Sequence, residues 1–199
     1  MARQSKLQPG DVAPQFIVKD TTGETVRLSD YQKGYTLIAF LRYSGCPWCN
    51  LAVHRLAMEH PLLADSDCKI LAFIQSSEQN IKSNIFDRHS VKPLFPIVSD
   101  SSMQTYDKYT VRPSIIDGIT YHIKHIPSWV QSVNKEGFKQ ESVDGNLFLA
   151  PAVFLVSPRE QIILRADYSA DLYKHESFTD IYDTITSHTL YGSDPNLIR

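Results

Sequence analysis

The sequence predicts an α/β protein in which a mixed central sheet carries helices on both faces. Strand-like apolar runs alternate with helix-like segments along residues 35–109, a two-stranded hairpin follows at 153–165, and a helical segment lies at 176–189. Alternating strands and helices favour parallel pairing, whereas a hairpin adds antiparallel strands. The strand directions in the sheet are therefore expected to be mixed.

The N-terminal part of the chain is expected to form a small hairpin ahead of the main sheet. Residues 20–23, with the sequence DTTG, have the composition of a turn and separate two short strands near 16–19 and Thr25–Arg27. A single helical turn is expected at Leu28–Tyr31. The first buried strand follows at 35–42, where aromatic and apolar residues fill most of the segment.

The segment after this strand is expected to be a helix that begins at Cys46. Its inward-facing residues are predicted from helical spacing. They are Leu51, Val53, Leu56, Ala57 and Met58. Pro61 is expected to kink or restart the helix, because proline lacks the amide hydrogen that an interior position donates.

The remaining elements are predicted from short apolar runs and from capping residues. A second central strand is expected at 69–75, and Ser76 or Ser77 is expected to cap the helix that runs from there to about Arg88. The later elements are expected in this order: a strand at 95–98, a helix near 103–109, strands at 153–156 and 161–165, and a final helix at 176–189.

A length of 199 residues fits one domain, 1–199, with an insertion around 112–146. The insertion contains prolines and glycines at turn-like positions, and a short helix is expected within it at 128–136. Apolar residues at helical spacing in that segment are expected to pack on the domain. A partner surface, and with it a homodimer, is left open.

Composition and charge exclude several classes of partner. A net charge of −2 implies no nucleic-acid partner, and no apolar stretch approaches the length of a membrane span. The polar N-terminus carries no apolar signal core, so the protein is expected to be cytoplasmic. Three cysteines are too few for a disulfide framework, and a reducing compartment favours a catalytic or metal-binding role for a CxxC pair.

Such a pair stands at 46–49, where the motif CPWC joins the strand at 35–42 to the helix. Thiols three positions apart at a helix start lie on one face, within reach of a disulfide, and the helix start lowers a thiol pKa. This predicts a redox-active dithiol of Cys46 and Cys49. Half of a zinc site is the main alternative, but no second ligand pair has the required spacing, so neither a metal nor a cofactor is expected. Cys68 is expected to be a buried structural residue.

Three motifs occur in an order that is typical of one superfamily. They are GDVAPQF at 10–16 continued by VRLSDY at 26–31, the run through Phe40 into the cysteine motif, and APAVFLV at 150–156. Together they resemble the alkyl hydroperoxide reductase/thiol-specific antioxidant (AhpC/TSA) group, that is, the peroxiredoxins and their relatives. The resemblance implies a thioredoxin-like fold over roughly residues 7–187, apart from the insertion.

The resemblance leaves open which cysteine attacks. When the motif is aligned with peroxiredoxins, Cys49 takes the attacking position. When it is aligned with thioredoxins, Cys46 attacks and Cys49 resolves. The string CPWC itself favours the second alignment. Other positions depart from both families: Arg42 replaces the usual peroxiredoxin proline, Pro151 stands where peroxiredoxins place an arginine, and Ala39 stands where thioredoxins place a buried acid.

The resemblance implies a thiol-dependent redox enzyme that reduces peroxides through a Cys46–Cys49 dithiol–disulfide cycle. Its electrons are expected from a thioredoxin- or glutaredoxin-type reductant. A thiol–disulfide oxidoreductase acting on protein disulfides is the second hypothesis, and a non-catalytic redox sensor is the third. Cys46 is expected to be the more solvent-accessible thiol.

Four further residues are expected to support the dithiol. Arg42 is expected to favour the thiolate electrostatically, because a nearby guanidinium stabilises the charged form. Tyr43 and Trp48 are expected either to contact the site or to pack beside it. Pro151 is expected to follow a cis peptide bond, by resemblance to thioredoxin-fold proteins, and to present backbone to a substrate chain.

Overall fold

The computed structural model describes residues 5–116, 119–120, 137–172 and 175–192. The helix predicted at 128–136, with its apolar face, lies outside these residues. Within the described part of the chain, none of the helices combines the length and the apolar character that a bilayer crossing requires.

The strands form a small hairpin and one mixed sheet. Those of the described residues are β1 (Ile17–Lys19), β2 (Thr25–Arg27), β3 (Tyr35–Leu41), β4 (Cys68–Ile74), β5 (Ile97–Ser99), β6 (Ala152–Val156) and β7 (Ile163–Tyr168). β1 and β2 pair antiparallel, and the main sheet has the order β5–β4–β3–β6–β7. β3 is parallel to β4 and antiparallel to β6, which confirms the predicted mixed sheet.

The helices of the described residues follow the predicted order with one local difference. They are α1 (Pro47–Asp65), α2 (Glu78–Ile81), α3 (Gln104–Lys108) and α4 (His175–Tyr191). The side chain of Ser77 accepts the backbone N–H of Asn80, so Ser77 is the cap of α2. The segment predicted to continue as an α-helix changes to a π-helical turn at Lys82–Phe86.

Alternate residues of β3 face opposite sides of the sheet, and each side is covered. Leu37, Ala39 and Leu41 belong to a core shared with α1 and α4. Ile38 and Phe40 belong to a second core, shared with α3 and the N-terminal segment. Helices therefore cover both faces, as predicted, and β3 is buried along its whole length.

Two expectations for α1 are compared with the structure. Pro61 lies inside one helix with its side chain exposed, so the restart is excluded, whereas the kink stays a prediction. Met58 is 51 % exposed instead of buried. Met58 lies roughly 200° around the helix from Leu56. That outer face is covered near the start of the helix, where Phe138 packs on Leu51, but not at Met58.

Candidate active site

Cys46 lies where the chain turns from the C-terminal end of β3 into α1. Its backbone is extended, its N–H donates to the Tyr43 carbonyl at 3.1 Å, and Pro47 occupies the first helical position. Cys46 is thus the N-cap, next to amides that have no partner within the helix. The amides of Trp48 and Cys49 interact with its sulfur. The positive end of the helix therefore acts on this thiol.

Arg42 is the residue that follows β3, and it is only 1 % exposed. Its Nη2 donates to Sγ of Cys46 at 2.9 Å, and its Nη1 donates to the carbonyl of Leu147 at 3.2 Å. The Trp48 ring lies 5.2 Å from Cζ, within the range of a cation–π contact. A charged donor so close to a sulfur favours the thiolate over the thiol.

The two thiols of the motif have opposite electrostatics. Burial alone would raise the pKa of Cys46, but the hydrogen bond with Cys49, the Arg42 guanidinium and the helix-start amides lower it to about 6. Burial, the same hydrogen bond and the charge on Cys46 raise the pKa of Cys49 well above its ordinary value. Burial also raises the pKa of Cys68 to about 12. At neutral pH the site therefore pairs a thiolate at Cys46 with a thiol at Cys49.

The prediction that Cys46 is the more solvent-accessible thiol is wrong. Both are free thiols, with exposures of 0 % for Cys46 and 1 % for Cys49. Segment 137–149, which we call the strap, lies against the loop that carries Cys46. Its residues 137–146 belong to the predicted insertion.

Gly45 is the point of closest approach between the strap and the loop. Its carbonyl accepts the backbone N–H of Glu141 at 2.9 Å and the side-chain amide of Gln140 at 3.1 Å. A Cβ on Gly45 would lie 2.4 Å from the carbonyl oxygen of Ser142, so a residue without a side chain is needed there. The Tyr43 hydroxyl donates to Oε1 of Gln140 at 3.3 Å.

Asp144 anchors the other end of the strap to the edge of the sheet. Its carboxylate accepts the Ser76 hydroxyl at 2.7 Å, the Asn80 side-chain amide at 2.7 Å and the Ser77 backbone N–H at 3.3 Å. Ser76 in turn accepts the backbone N–H of Ser44 at 2.8 Å. The sequence analysis missed this anchor, because an Asp–Gly pair indicates a tight turn without indicating its distant partner.

Tyr43 and Trp48 both lie at the site, as the sequence predicted. Tyr43 is 2 % exposed, and burial together with the charge of Cys46 raises its pKa. Trp48 is partly buried and packs on Leu51 as well as on the guanidinium. Each residue therefore packs beside the dithiol and also against neighbouring residues.

The prediction of a cis bond before Pro151 is wrong, because none of the peptide bonds in the described residues is cis. Pro151 continues the pairing of β6 with β7, and its carbonyl accepts the backbone N–H groups of Ser169 at 2.8 Å and Ala170 at 2.9 Å. This carbonyl is engaged within the fold, so it is not free to pair with a substrate chain.

Two buried polar residues near the dithiol, Asn50 and His89, escaped the sequence analysis as functional candidates. A lone histidine just beyond a helical segment carries no pattern that identifies its partner. In the residues that the structure describes, no three His, Cys, Asp or Glu side chains come together to hold a metal.

Comparison with known proteins agrees with this geometry. The family model described as the AhpC/TSA family matches residues 9–165. Thiol-disulfide oxidoreductase ResA of Bacillus subtilis (strain 168) is 28 % identical over 115 residues, which span 56 % of this chain and 61 % of ResA. The chain thus spans about three fifths of the length of this curated relative.

Solved structures show the same architecture. PrxQ from Xylella fastidiosa superposes with a TM-score of 0.67 at 14 % identity, covering 94 % of this chain and 99 % of that one. Peroxidoxin BcpB from Mycobacterium tuberculosis gives a TM-score of 0.65 at 13 % identity, covering 90 % and 97 %. The predicted thioredoxin-like fold is therefore confirmed.

Replacement of the guanidinium tests the electrostatics of the site. Arg42→Met keeps an apolar stem but removes the charge, so the pKa of Cys46 should rise by about one pH unit or more. Ultraviolet absorbance of the thiolate, recorded against pH, measures this change. Arg42→Lys retains a cation, so the pKa of Cys46 in this variant should lie between its values in the parent chain and in Arg42→Met. An unchanged titration in Arg42→Met would show that the guanidinium does not stabilise the thiolate.

Proposed function

This chain belongs to the AhpC/TSA family, and on that premise we propose that it is a thiol-dependent redox enzyme that reduces peroxides. The observation that carries the proposal is the Cys46 sulfur, which lies 2.9 Å from a buried guanidinium and has a pKa lowered to about 6. A thiolate is the reactive form of cysteine, and here it is the dominant form at neutral pH.

The proposed cycle uses the two thiols in sequence. The Cys46 thiolate attacks one peroxide oxygen, the O–O bond breaks, and the other oxygen leaves as an alcohol or water after taking up a proton. Cys46 is then a sulfenic acid. The Cys49 thiol attacks this sulfur, an S–S bond forms, and water leaves. A thioredoxin- or glutaredoxin-type dithiol returns two electrons to the disulfide, as a cytoplasmic location would allow.

The enclosure of the site supports a small oxidant. Both sulfurs are buried, and the strap contacts the loop at Gly45. A protein disulfide must bring one sulfur into line with Cys46 together with its flanking chain, whereas hydrogen peroxide carries no such bulk. The larger substrate therefore requires a larger opening of the structure around Cys46 than the smaller one does.

Thiol–disulfide exchange is the second candidate function. The CPWC motif pairs a low-pKa thiol with an adjacent resolving thiol, which is the arrangement that exchange requires. The similarity to ResA, a protein named as a thiol-disulfide oxidoreductase, supports the same possibility. In this reaction Cys46 would attack a substrate disulfide, and Cys49 would release the substrate by forming the intramolecular disulfide.

Parallel assays separate the two functions. With dithiothreitol as electron donor, we expect hydrogen peroxide to be consumed at a rate that depends on Cys46, and insulin disulfides to be reduced no faster than by dithiothreitol alone. Insulin reduction without peroxide turnover would replace the first function by the second. The Cys68→Ala variant is the control, because Cys68 is a buried thiol outside the motif.

Mass spectrometry assigns the order of attack. After one equivalent of peroxide and a sulfenic-acid trap, Cys49→Ser should carry the trapped adduct on Cys46, since the thiolate persists but the resolving thiol is gone. Cys46→Ser should carry none, because burial keeps Cys49 protonated. An adduct on Cys49 in Cys46→Ser, with none in Cys49→Ser, would assign the attack to Cys49 instead.

Loosening the strap tests whether the strap limits the size of the molecules that reach Cys46. Asp144→Ala removes the carboxylate that binds Ser76 and Asn80, so the strap should loosen and Cys46 should react faster with a bulky maleimide. Insulin reduction should rise in the same variant. Glu160→Ala, an exposed carboxylate at the β6–β7 turn, is the matched control. Equal labelling of Asp144→Ala and the parent chain would contradict the role of the strap.

A further inference from the structure

Asn50 lies one helical turn beyond Cys46 and is 4 % exposed. Its backbone N–H donates to the carbonyl of Cys46 at 3.0 Å. Its side-chain Nδ2 donates to the same carbonyl at 3.0 Å and to the carbonyl of Ser44 at 2.6 Å. One amide group therefore ties together the two carbonyls that flank Gly45, in the turn that presents the attacking thiol.

His89 binds the other end of this amide. It is 1 % exposed, and its Nε2 lies 2.8 Å from Oδ1 of Asn50. Because carbonyl oxygens can only accept, the NH₂ of Asn50 faces them and its Oδ1 faces the histidine. Nε2 of His89 must therefore carry the hydrogen, which fixes one neutral tautomer of the ring.

The surroundings of His89 keep the ring neutral and in place. Nδ1 is buried and has no hydrogen-bond partner in the part of the chain that the structure describes. Burial, with smaller contributions from His54 and Lys92, lowers the pKa of His89 to about 4. The ring of Phe138, at the start of the strap, lies 4.7 Å from the imidazole between ring centroids.

We propose that Asn50 and His89 are a positioning pair that holds the turn 44–46 so that the guanidinium and the helix-start amides converge on the sulfur of Cys46. The two carbonyls orient the Asn50 amide, and the histidine hydrogen binds its oxygen. Without this donor Oδ1 is buried without its hydrogen bond, which is costly, so the amide is held less firmly against the two carbonyls. The proposal rests on the proposed function in one respect, that Cys46 is the attacking thiol.

Two substitutions at position 89 test the pair. His89→Leu removes the donor, whereas His89→Gln can still offer an amide N–H close to the place of Nε2. The ultraviolet titration of Cys46 should move up by about one pH unit in His89→Leu and stay near that of the parent chain in His89→Gln. At about pH 5, below the pKa of Cys46, a rise of one unit in that pKa lowers the thiolate fraction about tenfold. Peroxide consumption at this pH should therefore fall about tenfold in His89→Leu.

Gln161→Leu is the matched control. It removes a buried amide, which donates to the Leu28 carbonyl at 2.6 Å at the opposite end of the sheet, and should leave the Cys46 titration unchanged. A folded His89→Leu protein that titrates like the parent chain would overturn the proposal.

Asn50→Leu covers the case in which His89→Leu does not fold. Leucine is nearly the same size as asparagine and adds no charge but cannot donate to the carbonyls of Ser44 and Cys46, so the Cys46 titration should again move up. An unchanged titration in Asn50→Leu would overturn the proposal as well. The titration needs no substrate, so shifted titrations without peroxide turnover in the parent chain would refute the proposed function while supporting the pair.

Discussion

The hydrogen bond from Arg42 to the Cys46 sulfur is the interaction on which the rest of the site depends. A buried cation is strongly unfavourable without an anion or acceptors around it, and a buried thiolate is unfavourable without a cation. Each group therefore stabilises the charged form of the other. The same guanidinium donates to the Leu147 carbonyl of the strap, so one side chain joins the end of β3, the Cys46 sulfur and the strap.

Burial of this pair has a chemical consequence. Desolvation alone raises a thiol pKa and so disfavours the reactive thiolate, and burial raises the pKa of Cys68 to about 12 in this chain. At Cys46 the helix start and the guanidinium more than offset that effect. Charge interactions are also stronger where water is excluded. Burial of Cys46 therefore also strengthens the charge interactions that favour its thiolate.

Local patterns predicted the sheet and the dithiol, whereas contacts between distant segments escaped prediction. The apolar run of β3 and the motif at 46–49 both lie within residues 35–49, so strand, turn and helix start follow from neighbouring residues. Asp144 binds Ser76 across 68 positions, and no periodicity in the strap reveals that partner. At Pro151 the sequence predicted a feature that the structure does not have. Resemblance predicted a cis bond, but the proline continues the β6–β7 pairing in this chain.

The two family alignments disagree about the attacking cysteine because position in a motif does not by itself set the reactivity of a sulfur. The electrostatic field at the sulfur sets its reactivity. Cys46 is the N-cap of α1 and lies beside the guanidinium, and the amides at the helix start lower its pKa. Cys49 is inside the helix and shares its hydrogen with Cys46. The Cys49 thiol is therefore the proton-bearing partner, and its proton can pass to the hydroxyl that leaves Cys46 as water when the S–S bond forms. We infer from this asymmetry that attack begins at Cys46.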